Sequence, residues 1–256
     1  MTNNFNFSMP TAISFGPNSL SKCGESIRKL GKNALVVTTQ MEPYKTKVID
    51  QLSSTLKEQG ISVSFFFEVV PNPTLESVIK GSELARELGI DIVIGFGGGS
   101  AMDTAKAIAV GATHEGSLWD YIWCSESQPS EKTLPIVAIP TTSGTGSQVT
   151  QVSVFTNEEN HYKSAIYNQN IFPKLTIIDP ELMLTVPKTI TAATGFDIFT
   201  HAFESYIHSN TNFLVKTLAK EAIELVGKNL PIAINEPHNL PAREQLAIAD
   251  TLAGMC

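Results

Sequence analysis

The sequence contains few cysteines and no pair of them at a redox or metal-binding spacing. The three, Cys23, Cys124 and Cys256, are scattered through 256 residues without a C-x-x-C pair. This count argues against a disulfide scaffold and against a zinc site built from cysteines. It is typical of free thiols in a reducing cytoplasm, where we expect the protein to be located.

Positive charge and long apolar runs are also scarce. Eighteen Lys and Arg residues stand against 25 Asp and Glu, a formal net charge of −7, and no Lys/Arg run occurs. This balance argues against binding to a nucleic-acid backbone or an anionic membrane. No apolar segment approaches the roughly 18–20 residues that span a bilayer. The first residues lack the basic stretch and apolar run of a signal peptide.

Strand-like and helix-like segments alternate over the first two thirds of the chain. Apolar runs predict buried strands at 34–39, 61–70, 90–95, 134–139 and 175–178. Apolar periodicity predicts helices between the first four of them, at 44–59, 75–88 and 101–110. Strands with little polar alternation, separated by helices, indicate a parallel sheet that is covered on both faces.

From residue 188 onward the pattern is only helical. We predict helices at 191–209, at 213–226 with an end at Gly227, and at 241–256 with Pro241 in the first turn. We therefore expect an α/β domain at 1–187 and the start of a helical domain at 188–256. The last helix stops inside an apolar pattern without a polar tail, which favours a fragment of a longer protein. The alternative is a natural terminus that packs against the first domain.

A run of glycines follows the third predicted strand. Gly97, Gly98 and Gly99 permit a tight turn and close approach of a phosphate, because no Cβ intervenes. Ser100 is predicted to be the N-cap of the next helix, with Asp103 completing a capping box. The N–H groups and dipole of a helix start make an anion site. The alternative is an ordinary strand-to-helix turn with a good cap.

A loop rich in hydroxyl groups follows the fourth predicted strand, with the sequence Ile139-Pro-Thr-Thr-Ser-Gly-Thr-Gly-Ser147. Its N–H and O–H groups can serve a ligand at the carboxyl ends of the strands, where open α/β sheets bind ligands. The alternative is a flexible connection. Both loops together predict a dinucleotide or phosphate site. Met41-Glu-Pro43, after the first predicted strand, is a weaker candidate for bordering that ligand.

Asp197 and His201 are four residues apart on a predicted helix and therefore point to one side. An oxygen and an imidazole ligand suit a divalent metal such as Fe²⁺ or Zn²⁺. Because the intervening residues are apolar, we expect the pair to be buried, where a metal compensates the carboxylate. The alternative is a surface Asp–His pair. Two ligands are fewer than a catalytic metal site usually has, and Glu204 and His208 are weaker further candidates.

Taken together, these motifs resemble those of the iron-containing (group III) alcohol dehydrogenase family, which has a dehydroquinate synthase-like fold. The matching stretches span the chain in order: Phe15-Gly16-Pro17, Pro71-Asn72-Pro73-Thr74, Gly97 to Lys106, Pro140 to Ser147, Asp179 to Leu182, and Asp197 with His201. The resemblance implies a parallel-sheet NAD(P)-binding domain followed by an all-helical metal-binding domain. It further implies a small alcohol or aldehyde substrate, a divalent metal that is Fe²⁺ or Zn²⁺, and a homo-oligomer.

The resemblance also implies roles for individual residues. Gly97, Gly98, Gly99 and Ser100 hold the pyrophosphate, and Asp103 secures that loop. Further cofactor contacts fall on Thr141, Thr142, Thr145, Lys163 and Leu182, and the metal ligands on Asp197 and His201. Thr39 occupies the position where many members have an Asp that selects NAD, so both NAD and NADP stay open.

One departure from the family concerns the metal site. Two further histidine ligands of the family lie beyond the segment that matches 252–255, and the sequence ends at Cys256. The chain thus contains half of the expected ligands, which agrees with a C-terminal truncation. Three functions follow: an alcohol dehydrogenase or aldehyde reductase, an NAD(P)-binding fragment that is catalytically incomplete, and a metal-free reductase of the same fold.

Overall fold

A six-stranded parallel sheet forms the first part of the fold in the computed structural model, which describes residues 4–40 and 43–256. Its strands are β1 (Ala12–Phe15), β2 (Asn33–Val37), β3 (Ser62–Phe66), β4 (Ile92–Gly97), β5 (Ile136–Pro140) and β8 (Leu175–Ile178). Their order across the sheet is β1-β8-β5-β4-β2-β3. The predicted candidate at Met41 and Glu42 lies outside the described residues.

Helices cover both faces of this sheet, as the sequence predicted. They are α1 (Gly24–Arg28), α2 (Pro43–Glu58), α3 (Leu75–Glu87) and α4 (Gly99–Gly111). On one face Leu35 and Val93 pack with α3 and α4, and on the other Val36 and Ile94 pack with α1 and α2. Successive strand residues point to opposite faces of the sheet, and both faces are covered by helices. Such strands are therefore apolar throughout. The second predicted strand is shorter than expected, since β3 ends at Phe66.

Three strands were not predicted. The edge strand β1 is exposed along its whole length, so it carries no pattern of burial. The other two, β6 (Val152–Asn157) and β7 (Tyr162–Tyr167), form an antiparallel hairpin outside the main sheet. The hairpin turn contains no Gly or Pro, although His161 adopts a φ of +53°. The usual sequence signal for a hairpin is therefore missing.

The second part of the fold consists of the helices α5 (Lys188–Ile207), α6 (Phe213–Asn235) and α7 (Leu240–Gly254). The prediction that α6 ends at Gly227 is wrong. Val226, Leu230 and Ala233 continue one apolar face that packs with α5 and α7, and this packing outweighs the local preference of glycine and of Pro231 to end a helix. Among the residues that the structure describes, none of the helices is long and apolar enough to cross a membrane.

Candidate functional site

A cleft of about 740 Å³ lies at the carboxyl ends of β4 and β5. It is bordered by residues 97–100 at the end of β4, which we call the glycine loop, and by residues 141–151 after β5, which we call the threonine loop. The hairpin β6–β7 and the helices α5 and α7 complete its wall. The lining includes Gly99, Ser100, Asp103, Thr142, Thr145, Lys163, Asp197 and His201.

The two loops lie against each other. Gly97 pairs with Pro140 across β4 and β5, and the Thr141 N–H donates to the Gly97 carbonyl at 2.9 Å. A Cβ added to Gly99 would lie 2.6 Å from the Thr145 Cγ2 atom. Glycine at this position is therefore required by the close approach of the threonine loop. Because Gly99 and Ser100 begin α4 and line the cleft, the free N–H groups of a helix start are available there.

The predicted capping box at Ser100 and Asp103 is wrong. Gly98, in an extended conformation, is the N-cap of α4, so Asp103 lies within the helix. Its carboxylate accepts hydrogen bonds from the Ser147 hydroxyl at 2.6 Å and from the Val154 N–H at 3.0 Å. Asp103 thus fastens the threonine loop and β6 to α4. Burial raises the pKa of Asp103, and the charge of Lys106 opposes this rise.

Lys106 is fully buried one turn further along α4. Its ammonium group donates to the Ser147 carbonyl at 2.7 Å, the Ser147 hydroxyl at 2.9 Å and the Val152 carbonyl at 2.8 Å. Burial lowers its pKa to about 8, and the charge of Asp103 opposes this shift. Sequence reasoning assigned Lys106 no role. The available signal was a charged pair three residues apart on a helix that is otherwise largely apolar.

Lys163 reaches the cleft from β7. Its ammonium group donates to the Asn72 side-chain oxygen at 3.2 Å, and both residues line the cleft. This contact joins the predicted cofactor residue Lys163 to the Pro71–Thr74 stretch of the family resemblance, 91 positions away in the sequence. The cleft is therefore lined both by the exposed Lys163 and by the helix start at Gly99 and Ser100.

The remaining predicted cofactor residues do not line the cleft: they are Thr39, Gly97, Gly98, Thr141 and Leu182. Thr39 follows β2 at the same edge of the sheet, because Val37 pairs with Gly95 of β4. Leu182 follows β8 and packs, partly buried, against the apolar core. This packing accounts for its position, and its cofactor contact stays a prediction.

Asp197 and His201 face each other on α5. The His201 Nε2 and Asp197 Oδ1 atoms are 3.7 Å apart, and the two side chains are 41% and 44% exposed. The expected burial is wrong, because α5 turns Ile198 and Ala202 toward the helical core and this pair toward the cleft.

The donor atoms of this pair fit a shared metal ion. Two metal–ligand bonds of about 2.1 Å can bridge donor atoms up to about 4.2 Å apart. Glu204 also lines the cleft, whereas His208 ends α5 and accepts the Asn210 N–H at 3.1 Å. Within the described part of the chain, no group of three or more His, Cys, Asp or Glu residues is arranged to hold a metal.

Family models match nearly the whole chain. Residues 10–180 match the model described as iron-containing alcohol dehydrogenase, and residues 191–256 match the C-terminal model of the Fe-containing alcohol dehydrogenase family. Both halves of the fold are thus similar to the corresponding halves of one family.

Named relatives support the same similarity. The chain is 40% identical over 250 residues to choline dehydrogenase of Bacillus subtilis, covering 97% of this chain and 62% of that protein. It is 41% identical over 253 residues to 1,3-propanediol dehydrogenase of Citrobacter freundii, covering 98% of this chain and 65% of that protein. The chain therefore spans less than two thirds of the length of these relatives.

A solved structure superposes closely on the chain. The NADH-dependent butanol dehydrogenase A of Thermotoga maritima matches it with a TM-score of 0.92 and 34% identity, covering 98% of this chain and 63% of that one. The similarity thus includes the parallel sheet and the helices that follow it.

Proposed function

The chain belongs to the iron-containing alcohol dehydrogenase family, and from this premise we propose that it is part of a metal-dependent, NAD(P)-dependent alcohol dehydrogenase or aldehyde reductase. The reaction moves hydride between a primary alcohol or aldehyde and the nicotinamide. In this proposal residues 1–187 form the dinucleotide-binding domain, and residues 188–256 begin the metal-binding domain. The partners are small-molecule substrates, and a homo-oligomer in the cytoplasm stays a prediction.

One observation carries the proposal. The glycine loop, the threonine loop and the Asp197–His201 pair all open into one cleft, although they come from three separate parts of the sequence. The carboxyl edge of a parallel sheet is where such folds bind nucleotides. A cofactor on the loops and a metal on α5 would therefore be neighbours.

The loops supply the groups that a dinucleotide needs. The N–H groups at Gly99 and Ser100 and the positive end of α4 would bind the pyrophosphate. The hydroxyl groups of Thr142 and Thr145 can donate or accept hydrogen bonds beside it. Lys163 would add a positive charge on the opposite wall. These fixed groups orient the cofactor, which is the main contribution of a protein to such chemistry.

Asp197 and His201 would hold a divalent ion, with Fe²⁺ favoured by the family and Zn²⁺ compatible with the same donor set. When bound, the metal polarises the substrate oxygen as a Lewis acid and the nicotinamide carries the hydride. Asp197 and His201 would fix the position of the metal ion, with the imidazole bound in its neutral form. Their partial exposure to the cleft leaves space for substrate.

Two observations bear on the choice between NAD and NADP, the cofactor of a relative and the residue at position 39. The relative from Thermotoga maritima is an NADH-dependent butanol dehydrogenase, which supports NAD here. Thr39 carries no charge that would repel a 2′-phosphate, so NADP is compatible with this edge of the sheet.

A second candidate function is an NAD(P)-binding fragment without turnover. Two observations favour it. In the described part of the chain no more than two of the candidate metal ligands come together, and the chain spans 62% and 65% of the length of the two relatives named above. A metal-free reductase of the same fold is a third candidate, and metal analysis of the purified protein separates it from the first.

Two measurements on the 256-residue chain separate the first two candidates. NADH fluorescence is titrated with protein, and butanol oxidation is assayed with added Fe²⁺. Binding with turnover supports the dehydrogenase, and binding without turnover supports the fragment. If folded protein gives no calorimetric signal with NAD⁺, NADH, NADP⁺ or NADPH, both candidates are wrong.

A further inference from the structure

Asp250 is a buried carboxylate on α7 that no motif in the sequence singled out. Its Oδ1 atom accepts the Gly146 N–H at 2.9 Å, and its Oδ2 atom accepts the Gln148 side-chain amide at 2.8 Å. Among the residues described, it forms no ion pair within 4.0 Å. Buried carboxylates are costly. The hydrogen-bond partners of Asp250 are neutral groups, and His201 of α5 is near enough to favour its charged form, so the position of this carboxylate requires a structural explanation.

The partners of Asp250 all belong to the threonine loop. Gly146 has a φ of +65°, and a Cβ there would lie 2.7 Å from the Gly254 Cα atom. A Cβ on Gly254 would in turn lie 2.8 Å from the Gly146 carbonyl oxygen. Backbone therefore packs directly on backbone where the loop meets α7, and Asp250 supplies the hydrogen bonds at this contact.

The threonine loop is held from two opposite sides. Lys106 and Asp103 bind Ser147 from α4, whereas Asp250 binds Gly146 and Gln148 from α7. Thr145, which lines the cleft, lies directly before Gly146. Its position relative to the glycine loop thus depends on a residue of the helical part.

We propose that Asp250 is a positioning residue for the cofactor-binding threonine loop, acting from α7 through Gly146 and Gln148. The inference rests on the proposed function, because it assumes that this loop binds the dinucleotide. The inference gives the helical part of the fold a role in cofactor binding, in addition to the metal binding proposed for α5.

The amide of Gln148 provides a way to separate geometry from charge. Its Oε1 atom is buried without a hydrogen-bond partner. In Asp250→Asn, the Oδ1 atom of the asparagine can still accept the Gly146 N–H. If the Gln148 side-chain amide rotates by half a turn, its Oε1 atom can accept a hydrogen bond from the asparagine Nδ2. Asp250→Ala leaves both loop groups without partners. Asparagine should therefore preserve the loop, and alanine should release it.

The experiment compares wild type, D250N, D250A and E244A in the 256-residue chain. Glu244 lies on the same helix but neither lines the cleft nor contacts the threonine loop. NADH affinity is measured by fluorescence, and amide hydrogen exchange of 144–148 is measured by mass spectrometry without cofactor. We expect D250A to weaken NADH binding about tenfold or more and to speed exchange in this segment. D250N and E244A should stay within about threefold of wild type.

Four outcomes decide the inference. It is wrong if D250A keeps both wild-type affinity and loop protection, or if D250N weakens binding as much as D250A does. If D250A does not fold, D250E replaces it. Glutamate keeps the charge, but its longer side chain should displace the threonine loop. Tighter NADH binding by D250E than by D250N also overturns the inference. If wild type binds no dinucleotide, the proposed function fails, and hydrogen exchange alone decides whether Asp250 holds the loop.

Discussion

Lys106 donates from the interior of α4 to both oxygen atoms of Ser147, its carbonyl at 2.7 Å and its hydroxyl at 2.9 Å. The same hydroxyl donates to Asp103, so the serine joins the fully buried Lys106 to the half-buried Asp103 at the wall of the cleft. Lys106 is held where water cannot solvate it, and the two opposite charges favour each other's ionised forms. The threonine loop therefore owes its position on this side to a polar network inside an apolar helix.

Replacing Lys106 by methionine should destabilise the fold strongly. K106M removes the buried ammonium donor from the Ser147 and Val152 carbonyls, which costs about 1–3 kcal/mol of unfolding free energy for each group left unpaired. Chemical denaturation followed by circular dichroism measures this loss, with the exposed Lys57→Met as the control. Adding Asp103→Asn to K106M should recover part of the stability. Equal unfolding free energies for K106M and K57M would contradict the network.

Gly99→Ala tests the contact between the two loops. The added Cβ would lie 2.6 Å from Thr145 Cγ2, so the threonine loop must shift away from the start of α4. We expect NADH affinity to fall about tenfold, roughly 1.4 kcal/mol. Gly227→Ala on α6 is the matched control, because no atom lies within 4 Å of its added Cβ. It should leave NADH binding unchanged and stabilise the helix by up to about 1 kcal/mol. Unchanged NADH binding in G99A would refute the role of this contact.

The parallel sheet was predictable because its strands are buried on both faces. Residues such as Val36, Ile94 and Val137 lie in uninterrupted apolar runs, which local sequence reveals directly. Strand β1 lacks this signal since it lies exposed at the edge. The length of α6 was missed for a different reason: Gly227 and Pro231 predict an end locally, but packing against α5 and α7 continues the helix.

The residues of the candidate site also fall into two groups, those that local sequence predicts and those that depend on distant contacts. The glycine loop and Asp197 with His201 were found because each is a short motif. The contacts of Asp103, Lys106 and Asp250 join residues that are 41 to 104 positions apart from their partners. No periodicity or local spacing reports such contacts. A polar residue in an otherwise apolar helix is the one local sign that a distant partner exists.

Asp197→Ala tests the metal site. If the chain acts as the proposed dehydrogenase, D197A should lower Fe²⁺ affinity and metal-dependent turnover by more than about 100-fold, because a ligand matters at least as much as its supporting residues. NADH binding should persist, since the loops that would hold the dinucleotide are untouched. The exposed Glu221→Ala on α6 is the control. Metal analysis and turnover are measured on the same preparations. Unchanged metal content and activity in D197A would remove this residue from the site.

The pH dependence of stability tests the environment of Asp250. Burial raises its pKa to about 6, and hydrogen bonds from Gln148, Gly146 and Gly144, together with the charge of His201, oppose this rise. The pKa in the unfolded chain is about 3.9. Because the folded form binds this proton more tightly, its stabilising contribution is complete below about pH 4 and is lost as pH rises through about 6.

Asp250→Asn should therefore flatten this pH profile. The unfolding free energy of wild type should decrease between pH 4 and pH 7 by up to about 3 kcal/mol more than that of D250N, since each pKa unit corresponds to about 1.4 kcal/mol. Urea denaturation at half-unit pH intervals measures both curves, with the exposed Asp50→Asn on α2 as a charge-matched control. Other titratable groups are common to both chains and cancel in the difference where they do not interact with Asp250. His201 does interact with it, so the comparison is repeated with His201→Gln in both chains. Parallel curves for wild type and D250N would mean that the Asp250 carboxyl is charged in the folded protein throughout this range, and that the threonine loop compensates it fully.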